Sequence, residues 1–347
     1  MGLTKPKAAE QVFHTTSELA GQTLGAALRR WLPEQSWSQV RKLVQSRRTL
    51  VSGNLCVDVG RRLKADDVVK LLSHPTAAPP NPHDVKVQYL DAHLVVVEKP
   101  SGVTTNRHRE EQTWSKRRKQ IQPTLDELLP HIISDIEGRR GRRGVPPPVR
   151  AVHRIDRDTS GLIVFARTHA AERILAQQFR EHTTHRRYLA IVEGTVKAQT
   201  IKTMLLRDRG DGRRGNTDQP DVGKEAITHV QPLEFLPLPQ GEGRGEGAGY
   251  TLIQCRLETG RTHQIRIHLS ELGHPVCGEK VYRPSKTNRG EPRFGKAAID
   301  ASGAPRLALH AAELGFVHPV SGKTLRFQAP LPPDLADFWR RLKKSDS

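Results

Sequence analysis

Residues 151–167, Ala-Val-His-Arg-Ile-Asp-Arg-Asp-Thr-Ser-Gly-Leu-Ile-Val-Phe-Ala-Arg, constrain this chain more than any other stretch. The run Leu162–Ala166 has the length and the Val, Ile and Phe content of a buried strand, and Ser160-Gly161 ahead of it is a turn signal. Just upstream, Asp156 stands between Arg154 and Arg157. Positive neighbours favour the ionised form of a carboxylate. An acid anchored beside a core strand also suits a nucleophile or base better than a solvated one. The same spacing fits a surface Asp–Arg pair in a turn. The rest of the chain has to decide between the two.

At 347 residues there is length for two domains, or for one large domain with an appendage. Lys and Arg number 56 against 37 Asp and Glu, a net charge of +19, which calls for a polyanionic partner. Nucleic acid fits better than a membrane. No apolar run approaches the ~20 residues that span a bilayer, and Met1–Ala9 lacks the apolar centre of a signal peptide. Cys56, Cys255 and Cys277 are odd in number and far apart, so they form neither a disulfide framework nor a Cys-x-x-Cys site. They fit a reducing cytoplasm. No His-Glu-x-x-His run, Gly-x-Gly-x-x-Gly or P-loop is present, and neither a metal nor a nucleotide cofactor is expected. Aromatic residues, at 5%, are too few for a broad single-strand stacking surface.

Residues 20–72 read as a small module. Leu24, Leu28, Trp31 and Leu32 form one helical stripe that Pro33 ends. Ser36 and Gln39 make a capping box for a second helix that turns Val40, Leu43 and Val44 inward. Arg41, Lys42, Arg47 and Arg48 lie on its other side. Leu50-Val51, Ser52-Gly53-Asn54 and Leu55-Cys56-Val57 form a hairpin, and Val68–Leu72 a last strand. Such a module is too small for a catalytic cleft but suited to gripping phosphates. A solvated helix face is the plainer reading of its cations.

Residues 73–84 form a Pro-rich linker, after which a larger domain spans 85–340. It opens with an alternating strand at Val85–Leu90 and a buried one at Leu94–Lys99 stopped by Pro100. The arginine-rich stretches 107–119 and 139–143 read as mobile basic loops with salt-sensitive RNA contacts. A helix over 168–180 leads to the strand Arg187–Gly194, in which Tyr188 alone would be a core residue. Ala226–Phe235 and Tyr250–Leu257 pair as antiparallel strands around a disordered tip at 239–249. Between Gly260 and His268, the donors Arg261, His263, Gln264, Arg266 and His268 alternate with Ile265 and Ile267. On a strand, or a strand-to-helix junction, that pattern fits either a phosphate-and-base clamp or a polar face turned to water.

Taken together, Glu98-Lys99-Pro100-Ser101-Gly102, His153-Arg154-Ile155-Asp156 with Thr159-Ser160-Gly161, Arg187-Tyr188 and Gly260–Arg266 resemble the RluA-like family of RNA pseudouridine synthases, from about Val85 to Trp339. The segment Thr23–Leu72 resembles an S4 RNA-binding domain. The resemblance implies an α+β protein. It would have a mixed, mainly antiparallel catalytic sheet of pseudouridine-synthase type, behind a small S4-like α+β module, with the cleft between the Asp156 turn and Arg261–His268. It implies that uridine in RNA is isomerised by cleaving N1–C1′ and joining C5 to C1′, without a cofactor. Asp156 would be the catalytic aspartate, Tyr188 would pack against the target base, and Arg266 would pair with the Asp156 carboxylate. Arg154 would help flip the nucleotide and fill its place. Lys99, Arg261, His263 and Gln264 would face the RNA, as would Arg41, Lys42, Arg47 and Arg48 of the module. Large-subunit ribosomal RNA is the expected partner, transfer RNA the second, and the protein a cytoplasmic monomer away from membranes.

Two departures stand out. Cys277-Gly278-Glu279-Lys280-Val281-Tyr282 replaces the family's more usual Gly-Asp followed by Tyr-Gly, a change in which either acid can anchor the loop. Residues 107–119 and 283–305 read as insertions. Two other functions remain compatible with the residues. One is a non-catalytic, ribosome-associated RNA binder. The other is a ribonuclease using His153 and His263 as acid and base.

Overall fold

The computed structural model describes residues 11–52, 54–72, 84–107, 109–113, 119, 123–138, 147–207, 214–217, 219, 222–238, 249–283, 285–286, 292–293 and 300–344. Residues 73–83 of the expected linker lie outside this set. So do the stretch 139–143, residues 239–248 of the expected tip, residues 108 and 114–118 of the first expected insertion, and 284, 287–291 and 294–299 of the second. The chain divides into two compact units between Ala78 and Pro79.

In the first unit, β1 (Gln11–His14) precedes α1 (Leu24–Trp31), α2 (Trp37–Gln45), β2 (Thr49–Val51), β3 (Asn54–Leu55) and β4 (Val68–Leu71). Thr23 accepts the Ala26 amide at the start of α1, and Ser36 and Gln39 close the capping box of α2. Leu24, Leu28, Val40 and Val44 then pack on Val51, Val69 and Leu71 of a sheet ordered β1-β4-β2-β3. The strand β1 falls outside the expected bounds 20–72; it pairs antiparallel with β4. Arg41 and Lys42 are exposed on α2, whereas Arg48 donates from Nε to the Leu72 carbonyl at 2.9 Å.

The second unit runs β5 (Lys86–Leu90), β6 (Leu94–Lys99), α3 (Leu125–Ile136), β7 (Arg150–Ala151), β8 (Ser160–Ala166), α4 (His169–Arg180), β9 (His185–Glu193), β10 (Gln199–Leu206), β11 (Gly215–Thr217), β12 (Lys224–Pro237) and β13 (Gly249–Leu257). After these come α5 (Gln264–Glu271), the short pair β14 (Ser285–Lys286) and β15 (Pro292–Arg293), β16 (Leu309–Val317), β17 (Thr324–Gln328) and α6 (Pro333–Lys344). The sheet is ordered β11-β10-β12-β13-β9-β16-β8-β6-β5, with β17 on β16 and β7 on β8. Its pairings are antiparallel except β16 with β8.

Both faces of the central strands are covered, which is why β6 and β8 read as unbroken apolar runs. Leu94, Val96, Leu162 and Val164 pack with Leu175 and Phe179 of α4. Val95, Val97, Ile163 and Phe165 join the opposite core with Leu125 and Leu129 of α3 and Phe338 of α6. Each such side chain contributes roughly 1.5–3 kcal/mol by leaving water. Gly161 sits where β8 meets β16, with φ of +117°, and an added Cβ would lie 2.3 Å from the Ala311 carbonyl oxygen. Only glycine permits that approach, which pins the end of the loop carrying Asp156.

Candidate active site

Asp156 projects from the loop between β7 and β8, and the segment after β6 clamps that loop by its carbonyls. The Thr105 hydroxyl donates to Ile155 O at 3.0 Å, the Lys99 ammonium to Arg157 O at 3.0 Å and the Ser101 hydroxyl to Asp158 O at 2.7 Å. The Gly102 amide donates to Arg157 O at 2.8 Å, and Arg157 Nε donates back to Gly102 O at 3.1 Å. Arg157 therefore serves the backbone. Lys99 is expected on the RNA side, but its side chain is 1% exposed and it also donates to the Pro100 and Val103 carbonyls. An ammonium has three protons, and all three are placed. Burial pushes its pKa down to about 7 against the opposing pull of Asp158 and Asp156.

The segment expected as a strand or junction is a turn followed by α5, a helix buried on every side from Gln264 to Ser270. Its polar residues are therefore all partnered inside the protein. Gln264, expected to contact RNA, instead accepts from the Thr259 hydroxyl and the Arg261 amide and donates to Ile227 O and the Thr228 hydroxyl. His268 bridges the hydroxyls of Thr203 and Thr228, and burial holds it neutral with a pKa near 4.

Arg266 donates from Nε and Nη2 to Glu279 at 2.7 and 2.8 Å, leaving Nη1 3.7 Å from Asp156 Oδ2. The expected partner of Asp156 is thus in place, but its hydrogen-bonded mate is Glu279. Burial pushes the Glu279 carboxyl up, yet Arg266 and the Val281 and Tyr282 amides outweigh it and hold the group below its ordinary range. At 3.7 Å, Asp156 feels the guanidinium charge without being locked into a short hydrogen bond. His263 stands at the start of α5 in the left-handed region, φ 60°. One of its nitrogens shares a 2.6 Å hydrogen bond with the Tyr282 hydroxyl and the other lies 3.9 Å from Asp156. Burial draws the His263 pKa down, with Asp156 opposing.

These groups open on a cleft of about 440 Å³. Arg154, Arg180, Arg186, Arg261 and Arg266 line it, with Asp156 the one carboxylate among the described lining residues. Arg154 is exposed at this rim. Tyr188 forms part of the wall, 8% exposed, and burial pushes its phenol up to about 12. Arg186 lies over the Phe179 ring and donates to Glu258 O at 2.7 Å; a Cβ on Gly260 would come within 2.6 Å of its guanidinium. His153 stacks on Phe179 and accepts the Val164 amide at 3.1 Å, with a pKa near 3 through burial and then Arg186. A neutral imidazole with one nitrogen tied to a backbone amide is a poor general acid at neutral pH, which disfavours the ribonuclease reading.

A family profile described as RNA pseudouridylate synthase matches residues 93–271. The ribosomal large subunit pseudouridine synthase D of Zymomonas mobilis is 34% identical over 95% of this chain and 97% of its own length. The chain belongs to the RNA pseudouridine synthase family. It is an isomerase with RNA as its partner, so the reading as a non-catalytic binder falls. An uncharacterized RNA pseudouridine synthase of Bacillus subtilis, YlyB, is 33% identical over 90% of the chain and 92% of its own length. Among solved structures, the human RNA pseudouridylate synthase domain containing 4 superposes with a TM-score of 0.53 at 19% identity, covering 74% of this chain and 93% of its own. That likeness supports the mixed, mainly antiparallel architecture.

The fold of this synthase brings Asp156, Tyr188, Arg266, Arg154, Arg261 and His263 to one cleft and turns Lys99 and Gln264 inward. Glu279, Tyr282 and Arg186 were not singled out as site residues. Glu279 is 13 positions from Arg266 and Tyr282 is 19 from His263, so no local spacing announces either contact. Arg107, expected in a mobile basic loop, is buried and donates to both oxygens of Glu127, at 2.5 and 2.7 Å. No helix among the described residues is long and apolar enough to cross a membrane.

Proposed function

We propose that this synthase converts specific uridines of large-subunit ribosomal RNA to pseudouridine, with Asp156 as the carboxylate that acts on the sugar. The observation that carries the reading is the Asp156–Arg266–Glu279 array at the floor of an arginine-lined cleft. The names of several relatives, ribosomal large subunit pseudouridine synthase D, favour ribosomal RNA over transfer RNA.

The target uridine leaves its stack at a cost of a few kcal/mol. Contacts from Arg154, Arg180 and Arg261 to the RNA offset that cost, and Arg154 at the rim fills the vacated space. Inside, the Tyr188 ring packs against the uracil. Its hydroxyl keeps its proton at neutral pH and acts as a donor. Asp156, aimed by the clamped loop and set 3.7 Å from Arg266, either attacks C1′ or takes a proton from the ribose. Both routes end with N1–C1′ broken, the uracil turned in place and C5 joined to C1′, the proton lost from C5 being matched by one gained at N1. The Asp156–C1′ bond of the first route is broken, or the ribose proton of the second returned, so the product is an isomer of the substrate. The first unit, with Arg41 and Lys42 exposed on α2, supplies an S4-like grip on structured RNA, Arg47 and Arg48 flanking that face. The protein works as a cytoplasmic monomer.

Pseudouridine mapping in RNA from cells with and without the protein tests this reading. The expected result is loss of one or a few large-subunit sites. Loss confined to transfer RNA, or no loss anywhere, would overturn the substrate assignment.

A further inference from the structure

A second hollow, about 470 Å³, adjoins the catalytic cleft and shares Gly260, Arg261 and Thr262 with it. Four cations from separate places in the chain converge there. Arg207 follows β10, Arg214 precedes β11, Lys224 begins β12, and Arg261 lies in the turn before α5. No Asp or Glu appears among its described lining residues. None of the described carboxylates lies in ion-pair range of Arg207, Arg214 or Lys224, and Arg261 spends its Nε on the Glu225 carbonyl. Gathering like charges in a concave site is unfavourable until an anion arrives.

Two glycines shape the floor. Gly223 has φ of +102°, and an added Cβ would lie 2.8 Å from the Leu205 carbonyl oxygen. A Cβ on Gly260 would lie 2.6 Å from Arg186 Nη1. The positive field of Arg214 also reaches the active centre: burial draws the His263 pKa down and Arg214 adds to it, while burial pushes the Tyr282 phenol up to about 12 and Arg214 opposes it. This hollow and the Asp156 cleft are thus neighbours electrostatically as well as spatially.

We propose that this hollow is a phosphodiester subsite, holding a backbone phosphate adjacent to the flipped uridine. The inference rests on the synthase reading above, because the target nucleotide stays in its strand and a flanking phosphate must pass the rim at Gly260–Thr262. A phosphate there meets the Arg207, Arg214, Lys224 and Arg261 charges and fixes the register of the strand while Asp156 acts. Phosphate contacts of this kind position the substrate without reading its sequence.

The test is a chemical cycle on a synthetic RNA hairpin carrying the mapped uridine. Neutral methylphosphonates replace one phosphate at a time on either side of that uridine, and wild type is compared with Arg214→Ala and Arg214→Lys. The expected result is one adjacent position at which the methylphosphonate lowers wild-type kcat/KM about tenfold, or ~1.4 kcal/mol. Arg214→Ala shows a similar loss on unmodified RNA but is indifferent to the modification at that position, and its log–log salt slope falls by about 1. Arg214→Lys restores part of the rate, which separates a lost charge from a lost fold. Additive losses, or equal sensitivity at every phosphate, would overturn the subsite. Absence of pseudouridine with wild type on unmodified RNA would instead sink the synthase reading itself.

Discussion

Replacing Glu279 with Gln isolates the partner that sequence reasoning did not assign to Arg266. The Arg266 and Glu279 side chains are 6% and 0% exposed and joined by two hydrogen bonds of 2.7 and 2.8 Å. Gln keeps the shape but removes the charge, and its amide protons face those of the guanidinium. Removing one member of a buried pair costs about 3–5 kcal/mol, because the other charge is left without its counter-ion. With a urea slope of roughly 1–3 kcal/mol per M, the midpoint of the catalytic unit should fall by about 1 M or more. Among the described carboxylates Asp156, 3.7 Å away, is then the one left to Arg266. A direct Arg266–Asp156 pair ties up the carboxylate, so single-turnover pseudouridine formation should slow at least tenfold. The pH dependence has a definite sign. Glu279 is depressed in the folded protein, so its stabilisation is present above the unfolded carboxyl value of about 4.3 and is lost as pH falls through the lower folded value. The gap between wild type and Glu279→Gln should be full at pH 7 and close in strong acid. A midpoint within about 0.2 M of wild type, together with an unchanged rate, would refute the positioning role.

Lys99→Met takes the ammonium donor from the Pro100 and Val103 carbonyls and leaves Arg157 O with the Gly102 amide alone, at about 1–3 kcal/mol for each carbonyl left buried and unsatisfied. Thermal melting and filter binding should show a less stable, slow enzyme whose RNA affinity is nearly intact; weakened binding at full kcat would return Lys99 to the RNA surface. Tyr188→Phe keeps the ring and should bind RNA normally, yet turn over roughly 10²-fold more slowly if the hydroxyl moves a proton; an unchanged rate would leave the ring as the only contribution. Gly161→Ala forces a Cβ into the Ala311 backbone and should prevent soluble expression of the catalytic unit, while Gly138→Ala, with nothing within 4 Å of its Cβ, should cost about 1 kcal/mol. Equal melting points for the two would contradict the close-approach argument.

Local chemistry made much of the architecture readable. The Ser36–Gln39 box, the two-face apolar runs of β6 and β8, and the helix capped by Thr168 all stand where their residues place them. The helix α5 was harder. Gln264-Ile265-Arg266-Ile267-His268-Leu269 alternates with a strand's period, because a helix buried all round has no polar stripe to betray it. Its polar residues are satisfied by Thr203, Thr228 and Glu279, which only the folded chain brings near. Lys99 shows the same limit. As a lysine in a basic protein it reads as a surface cation, and only the carbonyls of the Asp156 loop reveal why it is inside.

The central claim is that the Asp156 carboxylate does the chemistry, and Asp156→Asn tests it most directly. The substitution is nearly isosteric at a side chain that is 16% exposed and 3.7 Å from Arg266. The account predicts that this variant melts within about 1 kcal/mol of wild type and binds ribosomal RNA with similar affinity. It should also form no pseudouridine in a single turnover. Pseudouridine appearing at the wild-type rate with Asn at this position would contradict it.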